Sequence, residues 1–189
     1  NKTNINLKHI NLQINKESVN ISDKEMKKGF NMITGKSGSG KTTFLKNLFF
    51  TNKNLWNRIA YLYQNSRHEF SKKTPKESII GMNNLNQIYF DSVYKCIELN
   101  KNSNRELEKP SGGEVQKIKI GIVLYQAMLI DAKLIILDEP DNNIDVESFN
   151  KIMINIKNLF NDSIILFTTH KGDSLNFESN MISINEFNL

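Results

Sequence analysis

A glycine-rich loop between a strand pattern and a helix pattern is the most constraining feature of this chain. The pattern G-x-x-x-x-G-K-[ST] is met by the run Gly35, Lys36, Ser37, Gly38, Ser39, Gly40, Lys41, Thr42 and Thr43. Residues 30–33 predict a buried strand before the loop and residues 43–50 predict a helix after it, which is the context that this motif requires.

Glycines let the backbone close around an anion, and the N–H groups of a helix N-terminus point toward it. The loop therefore predicts binding of a nucleoside triphosphate, with Lys41 on the outer phosphates and the Thr42 hydroxyl on Mg²⁺. A flexible Gly/Ser-rich loop that matches by chance is the alternative, and the strand–loop–helix context disfavours it.

Length and composition narrow the possible classes. A chain of 189 residues suffices for one domain with a buried core, or a core with a small subdomain. No apolar run reaches the roughly 18 residues that span a bilayer, so we expect any membrane association to need a partner. The net charge of +5 is spread as scattered lysines, which is more typical of solvated faces than of a nucleic-acid groove. The single Cys96 cannot form an internal disulfide and is expected to pack in the core.

Hydrophobic periodicity predicts strands that alternate with helices. Two N-terminal strands are predicted, the first over 5–14 and the second beginning at 19–21. Further strands are predicted over 59–63, 134–137, 164–168 and 181–184, and helices over 76–80, 87–99, 112–130 and 146–160. This alternation indicates an α/β fold with a mostly parallel sheet that is covered on both faces. Ligands of such sheets bind at the carboxyl ends of the strands, where the polar motifs fall.

An acidic pair ends one of the predicted strands. Asp138, at the tip, can hold a hydrated Mg²⁺ together with Thr42, and Glu139 can orient and deprotonate an attacking water. A strand that merely ends in an acidic turn closed by Pro140 is the alternative. The phosphate loop upstream favours the catalytic interpretation.

A capping pattern opens the predicted helix 112–130. Ser111 at the cap and Glu114 three residues later form a capping box. Gly112 and Gly113 cost up to roughly 1 kcal/mol each in a helix, and the cap does not require them, whereas close approach of a ligand does. We therefore expect this helix N-terminus to be a second phosphate-facing surface.

Six motifs in one order resemble those of the ATP-binding cassette (ABC) ATPase family. That family carries a phosphate loop, a loop glutamine, an S-G-G signature, a strand with D-E, an aspartate loop and a switch histidine. This chain supplies, in the same order, Lys41, Gln64, Ser111, Glu139, Asp145 and His170. The resemblance implies an α/β P-loop NTPase core with a mostly parallel sheet, a reduced antiparallel β-subdomain and a small helical subdomain. It implies one ABC-type ATPase domain over 1–189, with its core over about 1–64 and 110–189 and the helical subdomain over about 65–109.

The resemblance also implies a role for each motif residue. ATP hydrolysis would use four catalytic residues, namely Glu139, His170, Lys41 and Gln64, and Mg²⁺ would be held by Thr42, Gln64 and Asp138. ATP would lie between the loop 35–43 of one subunit and the S-G-G helix of the other, with contacts from Ser111, Gly112, Gly113 and Glu114. Asp145 would lie at this interface, and it equally fits the N-cap of helix 146–160. The dimer, formed by two copies or by two related subunits, would close on ATP and open after hydrolysis.

The function that this resemblance implies is energy supply for an ABC transporter at the cytoplasmic face of the cell membrane. The partner would be a transmembrane domain in the same chain or in a separate subunit, and peptide export is expected by analogy. Because the sequence starts at Asn1, we expect a piece of a longer export protein or a trimmed subunit. A soluble ABC ATPase that acts on nucleic acid or ribosomes is the alternative. A pseudo-ATPase that only binds ATP is a third, and Lys41 with Glu139 disfavours it.

The chain departs from the family pattern in two informative places. The segment between Lys41 and Gln64 is much shorter than usual, which predicts an abbreviated β-subdomain. The place where an aromatic would stack on adenine falls near Ile14, which predicts weak base selectivity.

Overall fold

The computed structural model describes residues 11–14, 17–20, 26, 28–51, 53–64, 74–99 and 110–184. Two of its strands, β1 (Asn11–Ile14) and β2 (Glu17–Asn20), form an antiparallel pair. Five others form a parallel sheet: β3 (Gly29–Thr34), β4 (Ile59–Leu62), β5 (Leu134–Leu137), β6 (Ile164–Phe167) and β7 (Asn180–Ser183). The order is β4-β5-β6-β3-β7. The α/β fold with a mostly parallel sheet and a reduced antiparallel part is confirmed, while residues 5–10 and 21 of the predicted N-terminal strands lie outside the described residues.

The described residues include five helices: α1 (Lys41–Thr51), α2 (Pro75–Ile80), α3 (Gln87–Cys96), α4 (Gly112–Leu129) and α5 (Val146–Leu159). Four of them begin at a capping side chain that accepts a hydrogen bond from the first turn: Thr74, Asn86, Ser111 and Asp145. These caps explain why the helix starts follow the sequence pattern closely. The 3-10 turns Lys53–Arg58 and Gly172–Ser174 were not predicted.

The parallel sheet is buried on both faces, as the continuous apolar strands predict. Alternate residues of each inner strand enter one of two clusters. One cluster lies under α1 and includes Phe44, Leu45 and Leu48. The other includes α4, α5 and the apolar faces of α2 and α3. Cys96 is buried in it, and burial raises the pKa of its thiol to about 12, which agrees with a packing role.

Strands β4, β5 and β6 end at the same level of the sheet, and β3 continues two residues further, to Thr34. The register aligns Leu62 of β4 with Leu137 of β5, and Leu137 with Phe167 of β6. Phe167 in turn aligns with Met32 of β3. The residues that follow these strands therefore meet at one edge. Within the described part of the chain, every helix is too short or too polar to cross a membrane.

Candidate active site

The phosphate loop joins β3 to α1 with two glycines in the left-handed region, Gly38 at φ 79° and Gly40 at φ 89°. A Cβ added at Gly38 would meet no heavy atom within 4 Å, so the loop leaves open space on that side. Lys41 folds back over the loop, where its Nζ donates to the carbonyls of Gly35 at 2.7 Å and Lys36 at 3.0 Å. A phosphate oxygen could replace these carbonyls as the acceptor.

The Thr42 hydroxyl faces two oxygens at the ends of neighbouring strands. Its Oγ1 lies 3.3 Å from Asp138 Oδ1 and 3.4 Å from Gln64 Oε1. Asp138 is 1% exposed, and its Oδ2 has no hydrogen-bond partner among the described residues. Burial raises the pKa of Asp138 above its ordinary value, although hydrogen bonds from Thr168 and Thr42 partly offset this.

The residues at this point fit a hard cation. A hydroxyl, an amide oxygen and an unpartnered carboxylate oxygen are the ligand types that Mg²⁺ takes, usually with water and substrate phosphates. No group of three or more His, Cys, Asp or Glu able to hold a metal occurs among the described residues. A metal here would therefore depend on the phosphates that it shares with Thr42 and Asp138.

Glu139 carries the most densely hydrogen-bonded carboxylate of this edge. Gln64 Nε2 donates to its Oε2 at 2.5 Å, and Asn142 Nδ2 donates to the same oxygen at 3.2 Å. His170 Nε2 lies 2.7 Å from Oε1. Burial raises the pKa of Glu139, but the hydrogen bonds from Gln64, Asn142 and His170 outweigh it and lower the pKa below its ordinary value. The carboxylate is thus anionic near neutral pH, and its residue adopts φ 50°, a conformation uncommon outside glycine that is often found at functional sites.

Thr168 joins the two acids, and the sequence analysis did not select it. Its hydroxyl donates to Asp138 Oδ1 at 2.8 Å and accepts from the Glu139 amide at 2.9 Å. The side chain is buried at the end of β6. One sequence signal could have identified Thr168: it places a hydroxyl directly after an apolar strand and two residues before His170.

The capping box at the start of α4 is present in full. Glu114 N donates to Ser111 Oγ at 3.2 Å, and Ser111 N donates to Glu114 Oε2 at 2.9 Å. A Cβ at Gly113 would lie 2.9 Å from the backbone oxygen of Asn143, and one at Gly112 would lie 3.2 Å from the Asn143 side chain. Contrary to the sequence prediction, these glycines are therefore not needed by a ligand alone. The turn after Glu139 in the same chain requires Gly113.

Asp145 caps α5, as the alternative interpretation of this residue predicts. Its carboxylate accepts from Ser148 N at 2.8 Å, and hydrogen bonds from Ser148 lower its pKa. The residue is exposed, so the cap leaves one face of the side chain in solvent. Its proposed place at a subunit interface stays a prediction.

The sequence-predicted residues fall into two groups. Lys41, Thr42, Gln64, Asp138, Glu139 and His170 are linked through the contacts of one strand edge and its phosphate loop. The second group lies at the starts of α4 and α5 and consists of Ser111, Gly112, Gly113, Glu114 and Asp145. Helix α4 contacts the first group through Gln116, whose Nε2 donates to the carbonyls of Glu139 and Pro140, both at 3.3 Å. Ile14 lies in β1, but its side chain is outside the part of the chain that is described, so base selectivity stays a prediction.

A cavity of about 470 Å³ opens beside the phosphate loop. Its lining includes the polar or charged Lys41 and Thr169, the loop residue Gly35 and the apolar Met32 and Phe177. Its volume falls in the range of small-molecule sites.

Comparison with known proteins gives a consistent family. A family model described as "ABC transporter" matches residues 18–142. An ABC transporter ATP-binding protein of Sulfurisphaera tokodaii is 26% identical over an alignment of 186 positions that covers 82% of this chain and 39% of that protein. The zinc import ATP-binding protein ZnuC of Buchnera aphidicola is 26% identical over 179 aligned positions (82% of this chain, 72% of that protein). The lactococcin transport/processing ATP-binding protein LcnC-like of Lactococcus lactis is 29% identical over 212 aligned positions (90% of this chain, 28% of that protein).

Solved structures share the fold. The archaeal ribosome recycling factor aABCE1, in complex with the ribosomal stalk protein aP1, matches with a TM-score of 0.64 and 26% identity, over 84% of this chain and 32% of that chain. A bacterial Atm1-family ABC exporter with ATP bound matches with a TM-score of 0.68 and 16% identity, over 85% and 33%. The chain spans about a third of each.

Proposed function

This chain belongs to the ABC transporter family and is an ABC-type ATPase domain, and from that premise we propose that it binds and hydrolyses MgATP to power transport across the cytoplasmic membrane. The observation that carries the proposal is the chain of contacts from the phosphate loop to the acidic pair. Thr42 lies against Asp138 and Gln64, and Gln64 donates to Glu139. The side-chain amide of Gln64 thus contacts both the nucleotide-binding loop, at Thr42, and the candidate base, Glu139.

Each residue of this chain of contacts has a separate task in the proposed reaction. Lys41 leaves the loop carbonyls and binds the outer phosphates. Thr42, Gln64 and Asp138 would hold Mg²⁺, which would neutralise phosphate charge. Glu139 takes a proton from the attacking water, since its lowered pKa keeps it ionised. Without nucleotide, Gln64 and His170 both hydrogen-bond the Glu139 carboxylate. In the proposed reaction they orient the water and the γ-phosphate.

The dimer is the second part of the proposal. The N-terminus of α4, where Ser111 and Gly112 are exposed, would face the triphosphate on the loop of a second subunit, since the start of a helix attracts anions. Asp145, exposed at its cap, would lie at the same interface. Closure on ATP and opening after hydrolysis would then follow the γ-phosphate.

The partner and the transported substrate are inferred by analogy with similar proteins. We infer a transmembrane domain as partner, with the helices between residues 74 and 99 as the proposed helical subdomain that contacts it. The lactococcin transport relative supports a peptide or similar exported substrate. The zinc import relative shows that proteins similar to this chain also serve import, and the proposal of export follows the lactococcin transport relative.

Glu139→Gln tests the chemistry and the dimer together. We expect MgATP turnover to fall by about 10²-fold or more, with ATP affinity little changed because the loop is intact. The same variant with saturating MgATP should elute as a dimer in size-exclusion chromatography. Glu178→Gln, at an exposed glutamate outside the site, is the matched control and should behave as wild type. Full turnover in Glu139→Gln would contradict the role of Glu139, and a persistent monomer would count against the ATP sandwich.

A soluble, non-transport role on ribosomes is the second candidate, favoured by the likeness to the ribosome recycling factor. It predicts ATPase stimulation by ribosomes or RNA, and transport predicts stimulation only by a membrane partner. Turnover measured with and without added ribosomes separates the two.

A further inference from the structure

Two segments beside the site hold each other by hydrogen bonds that run in both directions. We call residues 139–145 the acidic turn and residues 168–171 the histidine segment. The carboxylate of Asp141 accepts from Thr169 Oγ1 at 2.8 Å and from the His170 amide at 3.3 Å, both through Oδ2. In return, Lys171 Nζ donates to the backbone carbonyls of Asp141, at 2.9 Å, and of Ile144.

Because these groups are buried, the hydrogen bonds between the two segments are costly to break. Asp141 is 3% exposed, and a desolvated carboxylate depends on its hydrogen-bond donors. The Lys171 ammonium is half-buried and lies on two carbonyls of the same turn, where charge-assisted bonds are stronger than neutral ones. The Lys171 amide also donates to Thr169 Oγ1 at 3.0 Å, so the hydroxyl that serves Asp141 is itself fixed.

Both segments reach the same carboxylate. Asn142, from the acidic turn, donates to Glu139 Oε2, and His170, from the histidine segment, lies on Oε1. Because the mutual bonds fix one segment relative to the other, they also fix the separation of these two groups across Glu139. Neither motif matching nor helix capping accounts for Asp141 or Lys171.

We propose that Asp141 and Lys171 form a reciprocal clamp between the acidic turn and the histidine segment, and that Lys171 is a positioning residue for the Glu139 carboxylate. The clamp sets where His170 and Asn142 lie on Glu139, and it joins His170 mechanically to the turn that leads to Asp145. Its catalytic consequence rests on the proposed ATP hydrolysis, whereas the clamp itself is a property of this chain without nucleotide.

Lys171→Met tests the clamp, because it removes the ammonium and keeps the length of the side chain. We expect amide hydrogen exchange at Asn142, Ile144 and His170 to quicken by about ten-fold, the equivalent of one charge-assisted hydrogen bond. We expect kcat for MgATP to fall by about ten-fold while KM stays within about two-fold of wild type. Lys171→Arg, which can still donate to two carbonyls, should restore most of both. Lys151→Met, at a lysine paired with Glu147 on the exposed face of α5, is the matched control and should change neither.

The outcomes separate the clamp from the proposed function. Wild-type exchange in Lys171→Met would overturn the clamp, and so would a loss of kcat that Lys171→Arg does not restore. A wild-type chain without ATPase activity would contradict the proposed function, while the exchange measurement would still decide the clamp. If Lys171→Met does not fold, Thr169→Val removes the hydroxyl that binds Asp141, and the same acceleration at His170 is expected. Unchanged exchange in that variant would overturn the proposal.

Discussion

Alanine at Gly113 should destabilise the chain, while alanine at the adjacent Gly112 should not. A Cβ at Gly113 would lie 2.9 Å from the backbone oxygen of Asn143, closer than real Cβ atoms approach. A Cβ at Gly112 would lie 3.2 Å from Cβ and Cγ of the exposed Asn143, a tight contact that a shift of Asn143 by a few tenths of an ångström relieves. The two substitutions thus have the same chemistry and differ in what they meet.

The difference in unfolding free energy between the two variants follows from two opposing effects, the helix propensity of alanine and the cost of steric overlap. Alanine is favoured over glycine in a helix by up to about 1 kcal/mol at either position. At Gly113 the Cβ must displace Asn143, whose turn is held by the Ile144 amide on the Asp141 carbonyl and by Lys171. Forcing a methyl into such a packed place costs about 1–3 kcal/mol. We therefore expect Gly113→Ala to lose about 1–2 kcal/mol and Gly112→Ala to gain a few tenths.

Urea unfolding followed by circular dichroism measures this difference. With a urea m-value of about 1–3 kcal/mol/M, the midpoints of the two variants should differ by roughly 1 M, Gly113→Ala being the lower. MgATP turnover should also fall in Gly113→Ala, because the displaced turn carries Asn142 and begins at Glu139. Equal midpoints, or a Gly113→Ala chain that is more stable than Gly112→Ala, would refute the reasoning.

Two further predictions concern the acidic pair. Thr168→Val removes the hydroxyl on Asp138 Oδ1 and should lower the unfolding free energy by about 1–2 kcal/mol at pH 7. Burial already raises the pKa of Asp138, so its ionisation reduces stability as pH rises through that pKa, and losing the hydroxyl raises the pKa further. The deficit of the variant should therefore shrink at acid pH, where Asp138 is protonated in both chains, and a deficit independent of pH in urea titrations would contradict this. Asn142→Ala removes a donor that lowers the pKa of Glu139, so the acid limb of the turnover–pH profile should move to higher pH, and an unmoved limb would show that Asn142 does not act on the base.

Local structure could be predicted because each part of it depends on neighbours in sequence. The run 134–137 is apolar on both faces and forms β5 as expected. Ser111 and Glu114 form the predicted capping box, and Asp145 forms the N-cap that its position suggested. In both caps the partner lies three residues away, and in β5 the apolar run itself indicates burial on both faces, so the pattern contains the deciding information.

The contacts that could not be predicted join residues that are remote in sequence. Asp141 and Lys171 belong to segments after different strands, and the oxygen that requires Gly113 belongs to Asn143. Composition and spacing describe one segment at a time and cannot show which backbone oxygen lies against which helix. The sequence pattern therefore predicted a ligand beside both glycines, although packing within the chain accounts for Gly113.

Sheet register determines how separate motifs become one site. Gln64 follows β4, Asp138 and Glu139 follow β5, and His170 follows β6, and these strands are adjacent in that order. Because Leu62, Leu137 and Phe167 are aligned, the polar residues after them start from the same height. A slip of one residue in any strand would turn its side chains to the opposite face and would exchange its contributions to the two apolar clusters. The same burial that stabilises each strand therefore also fixes the level at which its polar end is presented, and the spacing between Gln64, Glu139 and His170 is a consequence of core packing.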